Sequence, residues 1–553
     1  MANEQQSPHW LEQVTQAILD WQRVENIQQL HVDDMKTPSG RIHTGSLRGV
    51  VLHDLVAKAL EKTNQSVIST YVFNDMDPMD GLPEYLDRTK YQAHMGESLY
   101  RIPAPELEHS GINLDLVSAE ELQELKQAKS MAELYALDFL HTFRRLGCDQ
   151  QIVWSHELYE SGKMDPIIRE ALDNIDKLKT VYRTVADYEL PEKWYPFQVI
   201  CPNCGKVGTT LVTDWDGTEV SFICEPHKVE WAQGCGHQDK ISPFGGTGKL
   251  LWKVDWPAHW KVLGVNVEGA GKDHTSAGGS RDMANAQCEQ VFSIPIPFDM
   301  PYEWILVRGT KMSSSKGVGT SAREFTHLFP PEIGRFLFAS RHYNQVIDFD
   351  PYAMAVPDLY DEYDLAANIF WQQAEGDLRL ATAFAVSQLT TPPSVHFLPR
   401  FRDVAVWMQH PELDIEAKFA EVKGSALTAD EQLVLQQRIK HAKYWVQASA
   451  PTEFQLTPTE TMPELAVALT DAQRQYLVAV GELLLEKTWQ PDDLQQSLYE
   501  LAKSTLGARD GFQAIYLAFL GKKAGPRAAW MLLATDPQLV QTRIKKTTES
   551  AKS

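Results

Sequence analysis

Residues 38–46, hereafter the first signature, read Pro-Ser-Gly-Arg-Ile-His-Thr-Gly-Ser. His43 can donate a hydrogen bond to a phosphate oxygen, and Gly40 and Gly45 let the backbone approach a ligand closely. If a helix begins just after these residues, its free N–H groups and its dipole favour an anion. The segment therefore indicates phosphate binding, although a tight turn capped by Ser46 would show the same pattern.

Residues 311–317, hereafter the second signature, read Lys-Met-Ser-Ser-Ser-Lys-Gly. Lys311 and Lys316 flank three hydroxyl groups, with Ser314 in the middle. Two lysines so placed can follow negative charge as it builds on a phosphate under attack. A polar surface loop is the alternative, but such a run directly after a predicted strand has little structural purpose.

Four of the six cysteines lie close together in the sequence and suit a metal. Cys201 and Cys204 have the spacing of a metal-binding knuckle. A cytosolic chain with such a cluster is expected to bind metal rather than to form disulfides. We predict a structural zinc ion held by Cys201, Cys204, Cys224 and Cys235. The second half of the cluster is irregular, so His227 or His237 could replace one of the last two ligands.

The elements that must position these residues follow from the apolar pattern. A strand is predicted near residues 31–33, a helix with a wide apolar face begins at Leu47, and residues 67–73 form a buried strand. Strand, loop, helix and strand in this order are typical of a parallel nucleotide-binding sheet. Further predicted elements are the strands 151–154, 260–267 and 303–307 and the helices 118–146, 165–177 and 277–291.

The length of 553 residues requires more than one domain. We predict an α/β catalytic domain with a Rossmann-like parallel sheet over residues 1–320. It carries insertions at about 79–114 and, as a small zinc-ribbon-like unit, at 198–240. An α-helical domain is predicted over residues 321–553.

Net charge and hydropathy argue against two classes of function, nonspecific nucleic-acid binding and membrane insertion. The net charge of −22 argues against loose attraction of the whole surface to nucleic acid. The C-terminal end is locally basic, either as a binding surface or as a solvated tail; its basic residues are Lys522, Lys523, Arg527, Arg543, Lys545, Lys546 and Lys552. The sequence has neither a signal-peptide pattern nor an apolar run of the roughly 20 residues that span a bilayer. We expect a cytoplasmic protein without membrane contact.

The two signatures together resemble those of class I aminoacyl-tRNA synthetases, His-Ile-Gly-His and Lys-Met-Ser-Lys-Ser. Ser46 stands where the family most often has its second histidine, and Ser314 stands where it has its middle lysine. Lys316 is then the candidate to supply the missing charge.

These departures resemble the class I lysyl-tRNA synthetase branch, and so do two further segments. Residues 252–260 read Trp-Lys-Val-Asp-Trp-Pro-Ala-His-Trp, and residues 271–274 read Gly-Lys-Asp-His before Gly-Gly-Ser at 278–280. The resemblance extends from about residue 25 to the end. Residues 74–80 depart from it, because Asn-Asp-Met-Asp-Pro-Met-Asp stands where an Asp-Asp pair followed by a basic residue is expected.

The resemblance implies an aminoacyl-tRNA ligase that uses ATP, Mg²⁺ and structural Zn²⁺ and acts on lysine and tRNA(Lys). It also implies that the α-helical domain over residues 321–553 binds the tRNA anticodon. The implied catalytic residues are His43, Lys311 and Lys316. The implied ATP-binding residues are Gly45, Ser46, Gly271, Asp273, Lys311 and Ser314. The implied lysine-binding residues are Gly40, Trp252 and His274, with Asp75 and Asp77 as candidate partners of the substrate ammonium. We expect a monomer.

Two alternatives remain open at this stage. Another class I synthetase, for arginine or glutamate, would share the ATP chemistry. An adenylate-forming paralogue would share it too but would not charge tRNA. The long helical C-terminal part with its basic end favours a protein that does.

Overall fold

The computed structural model describes residues 7–311, 320–409, 413–451, 454, 458, 461–525 and 527–549. The chain forms two compact units, one of Met1–Phe349 with Leu365–Pro393 and one of Asp350–Asp364 with Ser394–Ser553. Residue 320, the boundary in the sequence analysis, lies inside the first unit. Beyond it, the helix Pro331–Ala339 still packs against the helix Leu47–Glu61.

The first unit is built on a parallel sheet. Its first strand has two pieces, Leu30–Val32 and Met35–Lys36, and both pair with the second strand, Val67–Phe73. The third strand, Gln151–Trp154, lies on the other side of the second. Val267 forms parallel bridges to Val32 and to Phe298, which adds a fourth and a fifth line beside the first strand. The order third, second, first, fourth, fifth confirms the predicted Rossmann-like sheet.

The strand order reverses between the first strand and the segment around Val267. In such sheets ligands bind in the crevice at the carboxyl ends of the strands, at this switch point. The helix Leu47–Glu61 follows the first strand and is buried along most of its length, because residues such as Leu47, Val51 and Leu55 form its apolar face. The residues that follow Val32 and Val267 are therefore the ones expected to line a ligand site.

Two predicted helices are each divided in the structure. Residues 118–146 form Ala119–Gln127 and Met131–Arg145, since the Ser130 side chain caps a new helix by accepting from the Glu133 N–H. The helix predicted at 165–177 is likewise Asp165–Asp173 and Ile175–Ala186. The periodicity was visible in the sequence, but the interruptions were not.

The strand predicted at residues 260–267 is wrong. A helix, Trp252–Leu263, occupies most of this segment although it contains Pro257. Proline has no N–H to donate to the carbonyl of Lys253, four residues earlier, and the Gln287 side chain donates to that carbonyl instead at 2.9 Å. Only residues around Val267 join the sheet. The helix predicted at 277–291 is Ser280–Gln287, continued by a π-helical turn at Cys288–Phe292.

The cysteine-bearing insertion is antiparallel. Thr210–Trp215, Val220–Cys224 and Gln238–Ile241 form a three-stranded sheet, and Phe197–Val199 pairs with Gly248–Leu250. Near the signatures, Ile305–Val307 pairs with Thr310–Lys311 and with Ile347–Asp348. The other helices of this part of the chain are Trp10–Glu25, Arg88–Tyr91, Ser155–Glu160 and Ala322–Thr326.

The second unit is helical, as predicted. The helices after residue 350 are Ala355–Phe370, Leu378–Ser387, Phe401–Trp407, Ile415–Lys423, Ala429–Ala448, Asp471–Leu485, Pro491–Thr505, Ala508–Leu520, Ala528–Ala534 and Pro537–Glu549. The last five surround one apolar core that includes Tyr476, Leu498 and Phe519. None of the described helices is both long and apolar enough to cross a membrane.

Candidate active site

A cavity of about 390 Å³ lies at the switch point of the sheet. Its lining comes from the end of the first strand (residues 34–37), the first signature, the segment 268–274, the start of the helix at Trp252 and residues 302–305. Tyr71 and Asn74 also line it, so several parts of the chain, some of them distant in sequence, meet at the carboxyl edge of the sheet, where a ligand is expected.

The first signature forms one wall of this cavity. Thr44–Ser46 make a tight helical turn that leads into the helix at Leu47, and His43, Gly45 and Ser46 line the cavity. The arrangement places a helix N-terminus beside the cavity, where it favours an anion such as phosphate.

Backbone hydrogen bonds tie the first signature to the chain that follows the second. The Thr44 N–H donates to the carbonyl of Thr320, and the Ala322 N–H donates to the carbonyl of Ile42, each at 3.0 Å. The chain leaves the cavity along Ile305–Val307, turns at Arg308–Gly309 and comes back along Thr310–Lys311. The backbone of Lys311 lies in that hairpin. Ser314 and Lys316 lie outside the described residues.

The segment 271–274 forms another wall of the cavity. Three residues predicted to contact the substrates, Gly271, Asp273 and His274, line it. The Lys272 N–H donates to the Tyr302 carbonyl at 2.9 Å, which continues the sheet to this point. The His274 N–H donates to the Gly271 carbonyl at 2.9 Å and closes the turn.

Aromatic rings form a third wall. The centroids of Trp252 and His274 are 5.2 Å apart, and those of Trp252 and Trp256 are 5.6 Å apart. The two predicted residues Trp252 and His274 are therefore neighbours in the cavity, and Trp256 lines it as well. Such a wall suits an apolar stem and offers a face to a cation.

His53 positions the fourth line of the sheet. Its Nε2 accepts from the Gly269 N–H at 2.8 Å, so its Nδ1 carries the proton and donates to the Gly49 carbonyl at 2.7 Å. Burial lowers the pKa of His53 to about 4, which keeps the ring neutral. This contact fixes Gly269 against the helix of the first signature.

Three predicted substrate residues lie elsewhere. Gly40 is buried but does not line the cavity. Asp75 accepts from the His156 N–H at 2.9 Å and also contacts the His156 ring. Asp77 accepts from the Thr37 hydroxyl at 2.6 Å and pairs with the buried ammonium of Lys249. Both carboxylates are therefore used in contacts within the protein.

Two other carboxylates line the cavity at the strand ends, Asp34 and Glu268. Glu268 is 2% exposed and accepts from the indole N–H groups of Trp256, at 2.8 Å, and Trp260. Burial raises the pKa of Glu268 to about 7, and burial together with Glu268 raises the pKa of Asp34. The sequence did hold a signal for them, since each follows a strand-forming segment of a parallel sheet.

The four clustered cysteines do come together. All four sulfur atoms lie within 4.8 Å of one another, and two pairs, Cys201 with Cys235 and Cys204 with Cys224, are 3.6 Å apart. Four thiolates around zinc at about 2.3 Å would have sulfur atoms about 3.8 Å apart, so the arrangement fits this ion. Neither His227 nor His237 belongs to this group of ligand atoms.

One of the basic residues near the C-terminus is buried in the structure. Arg543 is 2% exposed and donates to the Ala518 carbonyl at 3.0 Å, so its guanidinium holds two helices together. Arg527 is exposed but pairs with Asp492 at 2.9 Å. Lys523, Lys545 and Lys546 are exposed.

The chain is similar to several lysine–tRNA ligases. A lysine–tRNA ligase of Methanosphaera stadtmanae is 26% identical over 562 residues, which cover 98% of this chain and 99% of the relative. One of Archaeoglobus fulgidus is 29% identical and covers 92% and 94%. A solved glutamate tRNA ligase from Elizabethkingia meningosepticum covers 94% of this chain and 99% of its own at 12% identity, with a TM-score of 0.33, too low to inform on the fold.

The family itself is shown by a match over more than half of the chain. Residues 8–113 and 123–390 match the family described as tRNA synthetases class I (K). These residues contain both signatures, the cysteine insertion and every line of the sheet. The chain therefore belongs to the class I (K) family of tRNA synthetases.

Proposed function

We propose that the protein activates L-lysine with Mg-ATP and transfers it to tRNA(Lys). The observation that carries the proposal is the cavity at the switch point, which joins the first signature to the segment 271–274 and to Trp252. The relatives over nearly the full chain that are named lysine–tRNA ligases support lysine over arginine or glutamate.

The ATP roles follow from position. His43 and Ser46, at the start of the signature helix, contact the phosphates, and Gly45 lies under the adenine. Gly271 and Asp273 hold the ribose, because a carboxylate suits paired hydroxyls. Trp252 and His274 lie against the stem of the amino acid.

The chemistry needs positioning and charge neutralisation rather than a covalent enzyme intermediate. The lysine carboxylate attacks the α-phosphate, the bond to the β-phosphate breaks, and pyrophosphate leaves. A terminal ribose hydroxyl of the tRNA then attacks the lysyl carbonyl of the adenylate and releases AMP. Lys311 and Lys316 stabilise the charge that builds on the phosphate, and Ser314 binds ATP beside them. A protein with this role works in the cytoplasm, where tRNA is used.

We also propose that the cysteine cluster holds a structural zinc ion through Cys201, Cys204, Cys224 and Cys235. The support is the closeness of the sulfur atoms, together with the turns at Gly205 and Gly236, whose positive φ angles of 74° and 78° follow the second and last cysteine. Elemental analysis of the purified protein should find one zinc per chain. Purified protein with no stoichiometric zinc would contradict the site.

We propose that the helical second unit binds the anticodon of the tRNA. Single-stranded anticodon bases are read by stacking and edge contacts while basic side chains bind the backbone. Replacing Lys523, Lys545 and Lys546 together with Glu should lower tRNA charging and leave amino-acid activation unchanged. Equal charging by the variant and the natural protein would contradict this role.

The decisive experiment is ATP–pyrophosphate exchange with each of the twenty amino acids, followed by charging of tRNA(Lys). Exchange with lysine alone, and charging, are expected. Exchange with arginine or glutamate instead would identify another branch of the class. Exchange with lysine but no charging would indicate an adenylate-forming paralogue.

A further inference from the structure

Two buried carboxylates face the cavity from adjacent lines of the sheet. Asp34 lies between the two pieces of the first strand, and Glu268 follows Val267, which bridges Val32. Both lie where the strand order reverses. Burial and the charge on Glu268 both raise the pKa of Asp34.

Asp34 has an oxygen without a partner. Its side chain is only 10% exposed, and Oδ1 accepts from the Met35 N–H at 2.9 Å. Oδ2 accepts no hydrogen bond from the part of the chain that the structure describes. His53 Nδ1 lies 3.9 Å from Oδ2, but its proton is donated to the Gly49 carbonyl. A nine-tenths buried carboxylate with a free oxygen at a cavity needs a donor from outside the protein.

A glycine makes room for this carboxylate. A Cβ on Gly49, in the first turn of the signature helix, would lie 2.6 Å from Asp34 Oδ2 and 2.7 Å from the Tyr302 hydroxyl. Real Cβ atoms do not approach oxygen so closely, so any other residue at 49 would displace Asp34 or the helix. The position of the carboxylate is therefore defined by its surroundings on the side away from the cavity.

Glu268 is held by neutral groups and not by a cation. Both of its oxygens accept from tryptophan indoles. The nearby Arg281 directs its guanidinium to the carbonyls of Glu268 and Pro297, each at 2.7 Å, and stacks over Trp260. No Lys, Arg or His nitrogen among the described residues lies within ion-pair distance of the Glu268 carboxylate. Its negative charge is oriented but not neutralised.

We propose that Asp34 and Glu268 are the specificity residues of the amino-acid site and bind the side-chain ammonium of the substrate. An ammonium group has three donors and can bond to both carboxylates at once. Trp252 and Trp256 lie beside them and supply an apolar surface for the carbon stem and a face for the cation. This assignment rests on the proposed function and replaces Asp75 and Asp77 in that role.

The test uses ATP–pyrophosphate exchange by the full-length protein and its variants Asp34→Asn and Glu268→Gln. L-Lysine is compared with L-norleucine, which has the same four-carbon stem without the ammonium group, as a substrate or as a competitive inhibitor. Each substitution should lower kcat/KM for lysine roughly 10- to 100-fold, the range for a hydrogen bond to a charged group. The binding of norleucine and the KM for ATP should change by less than about twofold.

Two further variants serve as a matched control and as a second test. Asp273→Asn, a matched carboxylate-to-amide change in the same cavity, should raise the KM for ATP and leave the preference for lysine over norleucine intact. Gly49→Ala should weaken lysine selectivity by displacing Asp34, so the proposal stays testable even if one amide variant does not fold. Folding of each variant is checked by its thermal unfolding.

The outcomes separate the two proposals. If the natural protein shows no lysine-dependent exchange, the proposed function fails. If it does show exchange, but Asp34→Asn, Glu268→Gln and Gly49→Ala all keep its preference for lysine over norleucine, the assignment of the ammonium site fails and the function stands. Loss of that preference in the variants supports both.

Discussion

Two groups of buried carboxylates lie near the same edge of the sheet and differ in one respect. Asp77 and Asp255 share the buried ammonium of Lys249, with 3.1 Å between Lys249 and Asp255, and the pKa of Asp255 is held well below its usual range by that charge. Asp34 and Glu268 have no such cation, and their pKa values are raised. A buried acid with its own cation is part of the framework, whereas one that faces a cavity without a cation is prepared for a ligand.

The largest loss of stability is expected from removing Lys249, the cation of the first group. Lys249→Met should leave Asp77 and Asp255 buried with uncompensated charge, at a cost of about 3–5 kcal/mol in the free energy of unfolding. Urea denaturation measures the loss. Lys240→Met is the matched control, since Lys240 is exposed and its 3.3 Å contact with Asp216 contributes about 1 kcal/mol at most. Equal stability of the two variants would contradict the comparison.

The second group should make lysine use depend on pH. Glu268, with a pKa of about 7, is neutral below pH 7, and only its charged form attracts an ammonium. The lysine KM should therefore fall about tenfold between pH 6 and pH 8. The charged groups that face Glu268 are Asp33 and Asp34, between the two pieces of the first strand, His259 in the helix Trp252–Leu263, and Arg281. Glu268→Gln should lose this dependence, and a wild-type KM that is flat over this range would count against it.

Asp34→Asn should change the free energy of unfolding by a smaller amount than Lys249→Met, and it should stabilise the protein rather than destabilise it. Because burial raises the folded-state pKa of Asp34, its charge opposes folding at pH 8, and the amide should stabilise the protein by about 1 kcal/mol. The gain should shrink as the pH falls towards about 4, the unfolded pKa, where the carboxyl is protonated in both states. Asp255→Asn, in the neutralised group, should instead destabilise. The idea fails if both amide variants lose stability equally.

The smallest effect on lysine use is expected from Asp75→Asn. Asp75 lies outside the cavity and raises the pKa of His156 through their contact. The variant should lower the pKa of His156, as followed by NMR, while the lysine KM stays within about twofold of the natural value. A large rise in the lysine KM would return Asp75 to the amino-acid site.

The sequence was sufficient for the fold and for one wall of the cavity. Apolar strands and a glycine-rich turn before an apolar helix are local patterns, and they pointed to His43, Gly45 and Ser46, which line one cavity. The helix Trp252–Leu263 was missed because its proline is compensated by Gln287, whose position depends on tertiary packing.

The amino-acid end could not be assigned in the same way. Asp77 follows a strand and looked available, but its cation, Lys249, lies 172 residues further along the chain. A sequence shows which carboxylates reach a sheet edge, but it does not show which of them are neutralised there. That information comes from long-range pairing, and it is what separates Asp34 and Glu268 from Asp75 and Asp77.

Proton release on lysine binding tests the central claim most directly. Calorimetric titration of the full-length protein with L-lysine at pH 7, in two buffers of different ionisation enthalpy, measures it. If the ammonium binds at Asp34 and Glu268, it favours their charged forms, and about half a proton or more should leave per lysine bound, since Glu268 alone is about half protonated at this pH. Binding with the same enthalpy in both buffers, and thus without proton release, would contradict the account.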